Sequence, residues 1–318
     1  MRSVPPRALG SAIVIFAAAS IVVAAAQRGA PSRANDGAPA APVTSALRLG
    51  ALPGVASVLA PAPPNDVPAA VAPAEAPDVP ARCAPEPAIE VRVSEPPPAA
   101  ELFRLAKEKP EALGSASLGS PTRGSLFGGV ELKDSEGILR AGGYGWGTEL
   151  VIRSIERAVR EVRRCFPGSP SLYVGDIARE RGGWLKPHRS HQSGLDADIG
   201  YYYKTQATWY QRATAQNLDA ARTWALVRSL IEGGNVEMIF IDVSVQRLLQ
   251  AHVASLPEGE RPAEDVFPSP TKRDTLIRHA WGHATHFHVR FRDPAAVALG
   301  HRLADIVPRL RGARRAPR

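Results

Sequence analysis

The sequence predicts an α+β domain in which helices flank a small antiparallel sheet that carries a metal site. Apolar residues recur at helical spacing after Thr148, and several short segments alternate between apolar and polar residues as strands do. Helices interspersed with such strands are typical of the α+β class. Five of the eight histidines fall in residues 187–200 and 282–291, so the candidate site is expected on two of these strands.

The first 27 residues predict export. Arg2 and Arg7 precede an apolar run from Ala8 to Ala26. The length of this run fits either a cleaved signal peptide or an uncleaved anchor in the inner membrane. On either interpretation the rest of the chain leaves the cytoplasm.

Residues 28–100 are predicted to form a disordered tether. Eighteen of the thirty prolines lie in the first hundred residues, mostly within alanine-rich runs. Such a stretch has too few large apolar side chains to offset the entropy lost when a chain becomes ordered. The folded domain is therefore expected over residues 101–300, which is long enough for one well-buried core.

The C-terminal residues and the net charge of the chain indicate which binding partners are expected. Residues 309–318 hold five arginines and no acid, so residues 301–318 are predicted to be a basic, solvated tail. The net charge of +8 suits an acidic, extended partner such as a cell-wall polymer, and it would also suit nucleic acid or anionic lipid. Export argues against nucleic acid as a partner.

The elements of the folded part follow in chain order. Glycines interrupt residues 101–145, which predicts loops with short strands. Thr148 is the candidate N-cap of a helix that stops at Pro167. Beyond it, apolar patterns predict two further helices and four strands: helices over 218–231 and 243–253, and strands over 171–176, 195–199, 236–241 and 286–291.

The chain has two cysteines, Cys83 in the tether and Cys165 at the end of the first predicted helix. In an oxidising compartment they could pair and fix the tether to the domain. Cys165 could equally be a small buried hydrophobic residue, with Cys83 incidental. Two isolated cysteines do not make a structural zinc site.

The two histidine stretches supply the candidate metal ligands. Strand alternation puts Asp196 and Asp198 on one face, and it puts His286 and His288 on one face about 7 Å apart. That separation favours one of these two histidines as a ligand and the other as a catalytic partner. His191, Asp198 and His288 would leave a fourth position for water, as in a catalytic zinc site, and His286 would accept or relay the proton.

The remaining polar residues have less certain roles. Asp196 is expected to support a ligand and not to be one itself. Arg290 shares the face of His288 and is a candidate to bind a substrate carboxylate, although an ion pair with Asp196 is equally open. His188 and His283 are expected in an outer layer or at an additional metal. No HExxH or GxSxG motif is present, which argues against a helix-borne zinc protease and against a serine acyl-enzyme of the GxSxG type.

These residues resemble a known family. The segment LYVGD, the stretch GGWLKPHRSHQSGLDADI and the later GHATHFHVR are similar to the penicillin-insensitive murein endopeptidases, zinc peptidases related to D-Ala-D-Ala metallopeptidases and lysostaphin-type enzymes. The shared pattern is a histidine, six residues, an aspartate and a later His-x-His. The resemblance implies zinc bound by His191, Asp198 and His288, with His286 beside the metal for catalysis. It also implies additional histidines at His188 and His283.

The resemblance implies cleavage of D-alanyl–diaminopimelyl cross-links in peptidoglycan by an exported zinc enzyme in the periplasm. Peptidoglycan is then the expected partner, nucleic acid is not, and the N-terminal segment is a candidate inner-membrane anchor. Two alternatives stay open: a D,D-carboxypeptidase or dipeptidase that uses the same site, and a non-catalytic wall-binding module that contains a metal. The presence of His286 argues against the module, because a binding protein needs no proton carrier beside its metal.

Overall fold

Six helices and ten strands form in the part of the chain that the computed structural model describes, which is residues 85–90 and 97–313. The helices are α1 (Ala99–Glu108), α2 (Glu149–Cys165), α3 (Ala220–Glu232), α4 (Val243–Ser255), α5 (Pro294–Leu303) and α6 (Ile306–Ala313). The strands are β1 (Ala116–Ser120), β2 (Arg123–Phe127), β3 (Val130–Glu131), β4 (Ile138–Arg140), β5 (Trp146–Gly147), β6 (Leu172–Val174), β7 (Asp196–Gly200), β8 (Val236–Ile241), β9 (Ile277–His279) and β10 (His286–Phe291).

The central sheet has six strands in the order β4-β6-β7-β10-β8-β9. Its four inner strands pair antiparallel, which agrees with the predicted sheet. Both edge pairs, β4 with β6 and β8 with β9, are parallel. Parallel neighbours need a crossover connection, and α2 and α4 lie in the two connections concerned. The α+β class is confirmed, and the sheet is mixed at its edges.

The two faces of this sheet have opposite characters at β7 and β10. Ala197, Ile199, Phe287 and Val289 are fully buried on one face and belong to the main hydrophobic core. Asp196 and Asp198 pair in register with Arg290 and His288 on the other face. The strand alternation expected from the sequence therefore separates an apolar face from a polar face.

Helix α2 packs its apolar side into the core. Thr148 caps it, since its Oγ1 accepts a hydrogen bond from the backbone N–H of Val151 at 3.5 Å, as the sequence predicts. The helix also buries an ion pair, Arg157 to Glu161 at 3.5 Å, with both side chains only 4% exposed. Ser229 on α3 donates to Glu161 and its carbonyl accepts from Arg157, so this pair joins α2 to α3.

Residues 85–90 reach the same ion pair. The backbone N–H of Glu86 donates to Glu161 Oε2 at 3.1 Å, and Arg157 Nη1 donates to the Glu86 carbonyl at 3.0 Å. The sequence predicts a disordered tether over residues 28–100. Residues 28–84 lie outside the described part of the chain, whereas residues 85–90 contact α2 and α1 begins at Ala99.

A smaller core lies between the ribbon β1–β2 and the helices α1, α5 and α6. Its buried members are apolar side chains from both ends of the described domain: Leu102, Ala106, Ala116, Leu118, Leu303 and Val307. The domain boundary predicted at residue 300 falls inside α5. Apolar residues spaced three or four apart continue beyond it, so residues 301–303 and 306–313 are helical, and the predicted basic tail does not describe them.

The predicted signal peptide or anchor over residues 1–27 lies outside the described residues, as does Cys83. Cys165 is buried at the end of α2. Among the residues that the structure describes, no helix is both long enough and apolar enough to cross a membrane.

Candidate metal centre

A turn that ends in a glycine delivers the first histidine stretch to the sheet. Gly194 has φ +77°, a conformation that suits glycine, and β7 begins two residues later. His191 has φ +64°, which is uncommon for a residue with a side chain. Its backbone N–H donates to Asp196 Oδ2 at 3.0 Å, so the carboxylate holds the turn against the strand.

Three donor atoms from β10, β7 and this turn form a nearly equilateral triangle. His191 Nε2 lies 3.1 Å from His288 Nδ1, and His288 Nδ1 lies 3.0 Å from Asp198 Oδ1. The third side, from His191 Nε2 to Asp198 Oδ1, is 3.3 Å. A tetrahedral ion with bonds of about 2.0–2.1 Å places its ligand atoms about 3.3 Å apart. The triangle therefore has the size that such an ion requires.

The opposite nitrogen of each imidazole is already occupied. His191 Nδ1 donates to the Ile177 carbonyl at 2.8 Å, and His288 Nε2 donates to Asp196 Oδ1 at 3.2 Å. This leaves His191 Nε2 and His288 Nδ1 facing the triangle, where each could bind a metal ion that displaces its proton. Metal-binding histidines in proteins are held in this way, by a carbonyl or a carboxylate on the other nitrogen. The donor set fits a metal ion.

His188 stands next to this triangle. Its Nδ1 lies 3.5 Å from Asp198 Oδ2, and its Nε2 lies 3.2 Å from Asp176 Oδ2. His188, His191 and Asp198 form a group that could hold a metal ion, with ligand atoms all within 4.8 Å of one another. The set completed by His288 is tighter, because its three sides measure 3.0–3.3 Å. The two sets share His191 and Asp198.

His286 lies beside the triangle and not in it. Its Nε2 is 3.8 Å from Asp198 Oδ2, and Thr285 Oγ1 lies 3.0 Å from its Nδ1. The ring of His283 is centred 5.0 Å from the ring of His286 and 6.2 Å from that of His288. All five clustered histidines therefore meet at one place, with His283 in its outer part.

The site shifts the pKa values of its members in opposite directions. Burial lowers the pKa of His286 to about 4. Burial also disfavours the charged form of His288, but hydrogen bonds to Asp196 and Asp198 raise its pKa to about 9. Burial of Asp198 is likewise outweighed by hydrogen bonds from His191 and His288, which hold its pKa well below the usual range. The carboxylate is thus ionised, and His286 differs electrostatically from its neighbour on the strand.

Arg290 is bound to Asp196. Its Nε donates to Asp196 Oδ1 at 2.7 Å, and its Nη2 lies 3.4 Å from Oδ2. The sequence left two roles open for Arg290, an ion pair with Asp196 or the binding of a substrate carboxylate. The structure contains the ion pair, so the guanidinium is already bound to a carboxylate of the protein. Asp196 thus orients His288, His191 and Arg290 together.

Sequence reasoning missed two contributors to the site. Asp176 lies two residues beyond the end of β6 and holds His188, and its position at the end of the predicted strand 171–176 was the available indication. Tyr210 lies in the loop after β7, with its ring centred 5.3 Å from that of His286. No periodic pattern marks this loop.

Comparison with known proteins identifies related chains. A family model described as penicillin-insensitive murein endopeptidase matches residues 117–261, which include the first histidine stretch and end before the second. A Haemophilus influenzae protein named penicillin-insensitive murein endopeptidase is 28% identical over 212 residues, which is 58% of this chain and 67% of the relative. An Escherichia coli protein of the same name is 26% identical over 205 residues, covering 57% of this chain and 68% of the relative.

Proposed function

We propose that the chain is a penicillin-insensitive murein endopeptidase, like the peptidoglycan-cleaving peptidases that it resembles, and that it is an exported zinc enzyme. Its proposed substrate is the peptide cross-link of peptidoglycan, of the D-alanyl–diaminopimelyl type. We further propose that it acts in the periplasm, either after cleavage of residues 1–27 or while anchored to the inner membrane through them.

The observation that carries this proposal is the triangle of His191 Nε2, Asp198 Oδ1 and His288 Nδ1, with sides of 3.0–3.3 Å. Two imidazoles and one carboxylate are a set that zinc accepts, and three protein ligands leave a fourth position open. Zinc bound there would supply Lewis acidity, lowering the pKa of water towards about 7 and polarising the scissile carbonyl. His188 is the nearest further donor and supports the alternative set with His191 and Asp198.

His286 is the proposed proton carrier. It stands outside the triangle but within 3.8 Å of Asp198 Oδ2, so it adjoins the position of the reacting groups. Thr285 Oγ1, 3.0 Å from Nδ1, fixes the ring so that Nε2 faces the site. His286 accepts the proton of the attacking water through Nε2 and returns it to the leaving amine.

The rest of the site positions these groups. Asp196 receives hydrogen bonds from the His288 ring, the His191 backbone and Arg290, so one buried carboxylate aligns both histidine ligands. Such outer contacts set the orientation and the basicity of the ligands. The net charge of +8 favours attraction to an anionic polymer such as the cell wall.

The test is cleavage of purified muropeptide dimers by the zinc-loaded protein. We expect monomers to appear, the reaction to stop on chelation and to resume when zinc is restored, and His286→Gln to retain zinc but to cleave dimers about 100- to 10,000-fold more slowly. Release of terminal D-alanine alone would assign the site to a D,D-carboxypeptidase. Stoichiometric zinc with no turnover of either substrate would contradict both enzyme functions and favour a wall-binding module.

A further inference from the structure

Tyr210 combines exposure, an uncommon backbone conformation and proximity to the site. Its side chain is 58% exposed although it is a large aromatic residue. Its φ of +69° lies in the left-handed region, which bulky residues rarely adopt. Backbone strain of this kind persists only where the surroundings enforce it, and it concentrates at functional sites.

The preceding residue, Trp209, fixes this conformation. Its indole packs on the polar face of the sheet, where a Cβ added to Gly175 would lie 2.4 Å from the Trp209 ring. Glycine at this position, directly after β6, is what lets the indole approach. The Trp209 ring is also centred 6.5 Å from Tyr173 and 6.0 Å from His286. An anchored Trp209 leaves Tyr210 little freedom to move away from the site.

The Tyr210 ring lies beside the proton carrier and near the carboxylates of the site. It is centred 5.3 Å from the His286 ring at an interplanar angle of 36°. Burial and the charges of Asp198 and Asp176 raise the pKa of its phenol, so the hydroxyl stays protonated near neutral pH. Among the described residues, the Tyr210 hydroxyl has no hydrogen-bond partner, so at the mouth of the site it is a hydrogen-bond donor available to a ligand.

We propose that Tyr210 is a further catalytic residue, whose hydroxyl donates a hydrogen bond to the scissile carbonyl oxygen as that oxygen gains negative charge. This role rests on the proposed endopeptidase function. The phenol keeps its proton throughout and forms no covalent bond. A donor aimed at developing charge stabilises the transition state more than the bound substrate.

The test compares Tyr210→Phe with the wild type on muropeptide dimers. Removing the hydroxyl alone is expected to lower kcat by about 100-fold, the usual loss for one oxyanion donor, with KM, zinc content and Tm unchanged. As a readout independent of turnover, the affinity for a phosphinate isostere of the cross-link should fall by a similar factor. Tyr144→Phe, which alters an exposed tyrosine next to Arg179, is the matched control and should behave as wild type.

The variant Tyr210→Gly distinguishes the effect of the strained backbone at this position from the effect of the missing hydroxyl. Glycine accepts φ +69° readily, so this variant should fold with a Tm no lower than that of the wild type and yet lose at least as much activity as Tyr210→Phe. If the wild type cleaves dimers and Tyr210→Phe cleaves them equally well, the proposed role is wrong. Loss of zinc in Tyr210→Phe would reduce Tyr210 to a structural residue. A wild type that cleaves no dimers would overturn the endopeptidase function, and this role with it.

Discussion

His191 Nε2 and His288 Nδ1 lie 3.1 Å apart although 97 positions separate these residues in the chain. The other nitrogen of each ring is held by the Ile177 carbonyl or the Asp196 carboxylate. Two imidazole nitrogens and the Asp198 carboxylate oxygen converge in one buried place, and a metal ion could bind all three at once. The fold therefore brings together donors that a metal ion would complete.

Substitutions of the two histidines of β10 are expected to have different effects on zinc binding and on kcat. His288→Gln should lose both zinc and activity, because it removes one corner of the triangle. His286→Gln should retain zinc and lower kcat by about 100- to 10,000-fold, the usual contribution of a general acid–base. Zinc content by elemental analysis, measured with kcat on the same samples, checks this. Equal zinc loss in both variants would refute the division of roles.

Asp196→Asn tests the support of the ligands. It weakens the contacts to the His288 ring and to Arg290, and we expect zinc affinity to fall about 10- to 100-fold, as outer contacts usually do. Titration of the metal-free protein against a competing chelator measures the Kd. Asp176→Asn is the matched control, since Asp176 holds His188 outside the triangle and should change Kd less. The reverse order would indicate that His188, not His288, completes the metal site.

The buried ion pair of α2 should carry a large share of stability. Glu161→Ala leaves Arg157 buried without its carboxylate, and removing one partner of such a pair costs about 3–5 kcal/mol. Arg153→Ala breaks an exposed pair on the same helix, with side chains 58% and 57% exposed, and should cost about 0–1 kcal/mol. Urea unfolding curves compare the two. Similar free energies of unfolding for both variants would contradict the importance of the buried contact.

Leu303 tests whether the domain extends past residue 300. Its side chain is fully buried in the smaller core, so Leu303→Ala should lower the free energy of unfolding by about 2–5 kcal/mol. His301→Ala, at an exposed position of the same helix, should stay within about 0.5 kcal/mol of the wild type. Thermal melts followed by circular dichroism report the difference. If Leu303→Ala left the free energy of unfolding unchanged, the prediction of a solvated tail would hold instead.

The parts of the fold that the sequence predicted are those where burial imposes a period. The strands at 236–241 and 286–291 and the start of α2 at Thr148 are confirmed, because one buried face leaves a regular mark on the residues. The direction of the edge strands leaves no such mark, so their parallel pairing was missed. Helix α6 was missed because its arginines outweighed the apolar spacing of Val307 and Leu310.

For the site, the histidine spacing indicated the candidate ligands and separated His286 from His288. Asp176 and Tyr210 were not predicted, because each reaches the site through a tertiary contact that no local pattern encodes. The same holds for Arg290, whose two interpretations differ only in where Asp196 lies. Periodicity indicates which residues lie on the same face of a strand or helix, whereas tertiary packing decides which residues are in contact.

The proposed zinc site is tested by locating the metal in a crystal of the zinc-loaded protein by anomalous scattering. We expect one strong zinc peak about 2.0–2.1 Å from His191 Nε2, Asp198 Oδ1 and His288 Nδ1, with His286 outside bonding distance. A peak bound by His188, His191 and Asp198 with His288 unbound, or no zinc peak at these residues, would contradict it.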